Sequence, residues 1–130
     1  MIYVTCWNKE SDALKLYSEW TAKEKLGSSG TNDILIVAKE DKRIIGALQL
    51  YIINDTFWNR KWGLIENIYV SKDFRRKGIA RKLMAFAELE ASMFGCEFVK
   101  LTSSHDKKEA HELYQNLDYV RGYSFKKELR

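Results

Sequence analysis

Hydrophobic and polar positions follow two rhythms along this chain, and the switches between them mark its elements. "MIYVTCW" has the apolar, β-rich character of a strand. "SDALKLYSEWTAKEKLG" predicts a helix, with Leu14, Leu16, Tyr17, Trp20 and Leu26 apolar and Ser11 placed to cap it. "SSGTND" reads as a loop. "ILIVAKE" and "RIIGALQLYII" are rich in branched residues and predict strands joined by the turn "EDK". "NDTFWNRKWG" predicts a polar and aromatic turn, and "LIENIYV" another strand. A helical pattern then runs to about Phe94, where Gly95 suits the C′ position. "EFVKLTS" predicts a strand, and "KKEAHELYQNL" a helix with Ala110, Leu113, Tyr114 and Leu117 on one face. "DYVRGYSFKKEL" predicts two short strands around Gly122. The order β-α-β-β-β-α-β-α-β-β predicts a mixed sheet with helices on its faces. No repeat, low-complexity tract or linker interrupts it, so residues 1–130 read as a single domain.

Composition narrows the partners. A chain of 130 residues can bury a substantial core, and 45% hydrophobic with 31% charged residues is an ordinary soluble balance. A net charge of +4 permits an anionic ligand without calling for nucleic acid, and no helix carries a basic face. No apolar run approaches the ~20 residues of a membrane span, and the N-terminus lacks the apolar core of a signal peptide. Cys6 and Cys96 lie far apart, which fits two free thiols in a reducing, cytoplasmic setting better than a disulfide framework. Neither cysteine has the context of a nucleophile. His105 and His111 lack the spacing of a helical metal pair, and no Cys or carboxylate set completes a site, so no metal is expected.

One stretch changes the picture. In "VSKDFRRKGIARKLM" a strand runs into Arg75, Arg76 and Lys77, then Gly78, Ile79 and Ala80, then a helix. The first turn of a helix has N–H groups without intrahelical partners and carries partial positive charge, so it suits an anion. Glycine at Gly78 lets a phosphate approach the backbone, Ala80 keeps the next turn small, and Arg81 adds to the surrounding charge. The glycines of a Walker loop and of a dinucleotide fingerprint are both absent. "RRKGIA" instead resembles the Arg/Gln-x-x-Gly-x-Gly/Ala signature of the GCN5-related N-acetyltransferases. "IENIYV" resembles that family's central strand, "AHELYQNLDY" its Ala-x-x-Leu/Phe-Tyr-x-x-x-Gly-Phe/Tyr segment, and "FKKEL" its last strand. Two departures stand out: Lys72 occupies a common proline position, and Asp118 a usual glycine position.

The resemblance implies an α/β (α+β) fold with a mixed, mainly antiparallel central sheet flanked by helices. It also implies acetyl transfer from acetyl-CoA to a primary amine of a small molecule by direct attack in a ternary complex. The pyrophosphate of acetyl-CoA would rest on Arg75 to Arg81, and the pantetheine arm along Ile68, Tyr69 and Val70, with the Ile68 N–H as oxyanion donor. Tyr114 matches the tyrosine that protonates the departing thiolate, although its spacing alone also suits core packing. Glu66 matches a carboxylate that takes the ammonium proton. Simple alternation puts Glu66 and Ile68 on one strand face and turns Asn67 away. Tyr51, Phe57, Trp58 and Trp62 form either hairpin packing or an aromatic wall for a cationic acceptor, to which Asp55, Glu19 and Glu24 could add charge. The resemblance admits a homodimer through the last strands. Protein or peptide N-acetylation and a non-catalytic acetyl-CoA-binding module remain the other readings.

Overall fold

The computed structural model describes residues 1–6, 33–103 and 107–129. The helix predicted over residues 11–27 lies outside them, as do most of the loop after it and His105. The described residues fall into two units, residues 1–100 and 101–130.

The first unit is built on a sheet of order β1-β2-β3-β4-β5. β1 (Ile2–Cys6), β2 (Asp33–Glu40), β3 (Arg43–Asp55) and β4 (Arg60–Val70) are successive antiparallel neighbours. β5 (Val99–Leu101) follows at the far edge. The approach to it is tied to β4 by Glu97 N–H to the Lys61 carbonyl and Gly63 N–H to the Phe98 carbonyl, both 2.9 Å. β3 is the central strand, and Ile44 to Leu48 are buried without a break, the expected pattern for a strand without a wet face.

Helix α1 (Ile79–Met93) buries Ile79, Leu83, Met84, Ala87 and Ala91, the spacing of one helical stripe. It lies close to the sheet because two glycines allow it. A Cβ on Gly63 would come within 3.0 Å of both Leu50 and Val99 side chains and 3.4 Å of Ala91, and one on Gly46 would meet Leu83 and Ile79. Full burial of a side chain such as Leu83 stabilises by about 1.5–3 kcal/mol. The helix stops where expected, with Gly95 at φ 84°.

In the second unit, helix α2 (Lys108–Asn116) ends in a turn closed by Tyr119 N–H to the Tyr114 carbonyl, 2.9 Å. Asp118 stands at φ 67°, in the left-handed region. A Cβ there costs about 1 kcal/mol, so Asp118→Gly is expected to raise the melting temperature by a few degrees. Thermal unfolding followed by circular dichroism measures this directly.

Two sequence expectations are corrected. "NDTFWNRKWG" is mostly ladder rather than turn: Arg60–Gly63 pair with Ile52–Asp55, and only Thr56–Asn59 turn. Asn59 at φ 51° supplies the left-handed turn position, and the Asp55 carboxylate accepts from the Trp58 N–H and pairs with Arg60. Polar residues read as loop, but at a hairpin end they sit on wet strand positions without cost. The last two strands are absent among the described residues, where 119–129 form no regular element. Tyr123, Phe125 and Leu129 keep a strand-like alternation, yet Tyr123 is 92% and Phe125 98% exposed. A strand exists only where its backbone groups find a neighbouring ladder, and no described strand supplies one.

Candidate active site

The turn after β4 is held by Ser71 N–H donating to the Ile45 carbonyl (2.8 Å), then by a single 3-10 turn, Lys72–Phe74. Arg76 at φ 62° and Gly78 at φ 79° bend the chain into α1. The first helical bond is Lys82 N–H to the Gly78 carbonyl, and no side chain caps the start. The N–H groups of Ile79, Ala80 and Arg81 are therefore the unpartnered donors of the first turn. Nothing lies within 4 Å of where a Cβ on Gly78 would stand. An open, uncapped helix start rimmed by the exposed Arg76, Lys77 and Arg81 fits the diphosphate of acetyl-CoA.

Arg75 is held in place, unlike a free surface cation. Its Nε donates to the Val70 carbonyl at 2.9 Å, and its guanidinium lies 5.4 Å from the Tyr69 ring centroid. It braces the turn. Lys77 is steered as well, with its ammonium 5.4 Å from the centroid of the Phe74 ring.

β4 contains the feature that alternation concealed. Ala47 pairs with Tyr69, but Gln49 pairs with Glu66, so Leu48 alone faces Asn67 and Ile68. This is a β-bulge, with Asn67 at φ 55°, a conformation asparagine tolerates. The extra residue shifts the alternation. Glu66 shares a face with Gln49, and Asn67, expected to turn away, reaches the same residue: its Nδ2 donates to Gln49 Oε1 at 3.1 Å. Ile68 consequently belongs to the opposite face from Glu66, against the expectation of a shared one. The backbone is re-aimed too. The Ser71–Ile45 bond points Ser71 and then Tyr69 toward β3, so the N–H groups of Ile68 and Val70 face away from it. The outward Val70 carbonyl is the one Arg75 holds.

On the Glu66 face, Gln49 Nε2 donates to Asp33 Oδ2 at 2.7 Å. Tyr51, paired with Asp33, has its phenol pushed up, mainly by burial and further by the Asp33 and Glu66 carboxylates. Asp33 and Gln49 were not singled out in the sequence. The available signal was one glutamine inside the apolar run "RIIGALQLYII".

The aromatic cluster does not assemble as one wall. Phe57 and Trp58 pack edge to face at the exposed hairpin tip (4.9 Å). Trp62 stacks on Phe98 at 5.7 Å, and Lys100 lies 4.7 Å from its ring centroid. Only Tyr51 stands with the Asp33 and Glu66 carboxylates.

In the second unit, Tyr114 is half-buried, with its ring 6.2 Å from that of Tyr119. Burial pushes its phenol above the ordinary range, which keeps the proton in place through neutral pH. Burial likewise raises Cys6, aided by Glu90, and raises Cys96 against the opposing pull of Lys61. Protonated thiols are poor nucleophiles.

Comparison with known proteins adds independent evidence. The model of the acetyltransferase (GNAT) family matches residues 2–119. The uncharacterized N-acetyltransferase YhfO of Bacillus subtilis (strain 168) is 24% identical over 92 residues, covering 71% of this chain and 62% of that protein. Among solved structures, an aminoglycoside acetyltransferase from an uncultured soil metagenomic sample superposes with a TM-score of 0.84 at 19% identity, covering 100% of this chain and 98% of the other. Glucosamine-6-phosphate N-acetyltransferase from Arabidopsis thaliana does so with a TM-score of 0.77 at 19% identity, covering 100% and 99%. These likenesses match an α+β fold built on the five-stranded sheet described above. With its family signature lying on the uncapped start of α1 and the match spanning nearly all of its length, the chain belongs to the acetyltransferase (GNAT) family.

Proposed function

We propose that residues 1–130 act as one N-acetyltransferase domain that moves the acetyl group of acetyl-CoA to a primary amine of a small molecule. One observation carries this reading: on β4 a bulge turns the Ile68 and Val70 N–H groups away from β3, and the same strand leads into an uncapped helix start. Outward main-chain donors of that kind pair with an extended amide-bearing arm, and a helix start of that kind holds a diphosphate.

When bound, acetyl-CoA supplies an acetyl thioester as the electrophile. The α1 amides, with Arg76, Lys77 and Arg81 around them, hold its diphosphate. The Ile68 N–H donates to the thioester carbonyl oxygen, where negative charge develops. Glu66 takes a proton from the acceptor ammonium, which frees the lone pair for attack. Tyr114 keeps its phenolic proton at neutral pH and gives it to the departing thiolate. The resemblance in "AHELY" carries this last role, and the raised phenol supports it. The likeness to an aminoglycoside acetyltransferase and to a glucosamine-6-phosphate N-acetyltransferase supports a small amine as acceptor.

The test of activity is release of free thiol from acetyl-CoA with a panel of simple amines, polyamines, aminoglycosides, amino acids and aminophosphonates. No release with any acceptor, together with tight acetyl-CoA binding, would favour the non-catalytic module. Glu66→Gln has its own signature. The free-amine fraction rises with pH, so a base matters most where the acceptor is protonated. The variant is expected to lose about tenfold or more in rate near neutral pH, and progressively less toward alkaline pH. A uniform loss across the pH–rate profile would assign Glu66 to structure instead.

A further inference from the structure

The hydrogen bonds on the Glu66 face have a direction, and one residue dictates it. An ionised carboxylate only accepts. Asp33 therefore requires Gln49 to present its NH2 group, and Nε2 donates to Asp33 Oδ2 at 2.7 Å. That leaves Gln49 Oε1 toward β4, where it accepts from Asn67 Nδ2 at 3.1 Å. The second amide is thereby fixed with its carbonyl oxygen, Oδ1, at the free end. Asn67 is exposed, and no described residue donates to that oxygen. The residue before Asn67 in the bulge is Glu66, paired with Gln49 on the same face. The chain thus carries the polarity of a carboxylate on β2 across β3 to the exposed bulge of β4.

We propose that Asp33, Gln49 and Asn67 form a positioning chain for the acceptor, holding Asn67 Oδ1 beside the Glu66 carboxylate so that the bulge binds a cationic primary amine through two of its N–H groups. Asn67 and Glu66 touch the amine, and Asp33 and Gln49 act through Asn67. This deepens the acetyltransferase reading and rests on it. Tyr51, whose phenol is raised chiefly by burial, also feels the Asp33 and Glu66 carboxylates, so the acidic groups of this face act together. The acceptor class that follows is an amine that arrives protonated, rather than an amide, an alcohol or an anionic amino acid.

The direction of the chain makes it testable without a known acceptor. The probe is 1,4-diaminobutane, titrated into isotope-labelled protein while the side-chain amide signals of Asn67 and Gln49 are followed by NMR. In the wild type both signals are expected to shift and saturate. Asp33→Asn puts a group that both donates and accepts at the start of the chain, so both amides can reverse and turn Asn67 Nδ2 outward. Half-saturation is then expected to need at least tenfold more diamine. Asn67→Gly relieves the left-handed backbone and removes the amide, and is expected to weaken binding as much, read on the Gln49 signal. The double variant Asp33→Asn/Asn67→Asp conserves net charge and restores an acceptor at the bulge with the chain running in reverse. It is expected to recover wild-type binding. Recovery separates polarity from packing, because a packing role gives additive losses. No shift in the wild type, undiminished binding by folded Asp33→Asn, or a double variant no better than Asp33→Asn each overturns the proposal. Calorimetry with acetyl-CoA keeps the two readings apart. Absence of acetyl-CoA binding with the diamine results intact removes the acetyltransferase reading, whereas acetyl-CoA binding with no diamine response removes only the positioning chain.

Discussion

Gly78→Val is expected to weaken acetyl-CoA binding by more than tenfold, about 1.4 kcal/mol or more, in a protein that still folds. Two effects act together. Gly78 stands at φ 79°, where a branched side chain is strained. It also has no protein atom within 4 Å of its missing Cβ, so the new side chain fills the space through which, on the proposed function, a phosphate would reach the Ile79, Ala80 and Arg81 amides. That same open space means the substitution creates no clash within the protein, and the loss falls on the ligand more than on the fold. Gly78→Ala carries most of the backbone strain with far less bulk, so it should fall between wild type and Gly78→Val. Isothermal calorimetry with acetyl-CoA, alongside a melting curve for each variant, makes the separation. Unchanged affinity in folded Gly78→Val would remove the diphosphate from this turn.

Tyr114→Phe is expected to lower the turnover number by roughly a hundredfold, within the range for a proton transferred by a positioned side chain. Acetyl-CoA affinity and melting temperature should barely change, because the ring contact with Tyr119 survives and only the hydroxyl is lost. Burial raises the phenol. The sign of that shift matters: the proton is retained at neutral pH and leaves only above the ordinary tyrosine range, so activity dependent on it declines only at strongly alkaline pH. If Tyr114 is instead a packing residue, steady-state kinetics will be close to wild type and any deficit will appear in stability. A fully active Tyr114→Phe ends the acid assignment and leaves water to protonate the thiolate.

The parts of this fold that depend on local pattern were legible in the sequence. The branched runs of β2 and β3 and the stripe of α1 are read directly, and Gly95 closes the helix where the pattern ends. The uncapped start of α1 was legible because glycine, small residues and cations occur together at a strand-to-helix step. The bulge was not. A one-residue insertion changes the face of everything after it, yet "LIENIYV" reads equally well with or without it. Arg75 could not be separated from Arg76 and Lys77 by composition, since only three-dimensional reach gives it the Val70 carbonyl. The alternation over Tyr123 to Leu129 was real but insufficient, because a strand is a property of a pair. Asp33 and Gln49 lie 16 residues apart, and their contact depends on strand register, which no local pattern reveals.

The bulge at Asn67 works as a phase shift in the strand. Before it, even-numbered side chains share the face of Gln49; after it, odd-numbered ones take that face, while the N–H groups of Ile68 and Val70 turn away from β3. On the function proposed above, one continuous segment addresses two reactants by two different languages, side chains for the amine and main chain for the thioester arm. Because main-chain donors are the same whatever residue bears them, the cofactor half tolerates sequence drift. The amine half is written in side chains and can be rewritten residue by residue. On that proposal, substitutions at Glu66, Asn67 and the facing positions of β2 and β3 are expected to change the acceptor while leaving the main-chain donors of Ile68 and Val70 in place.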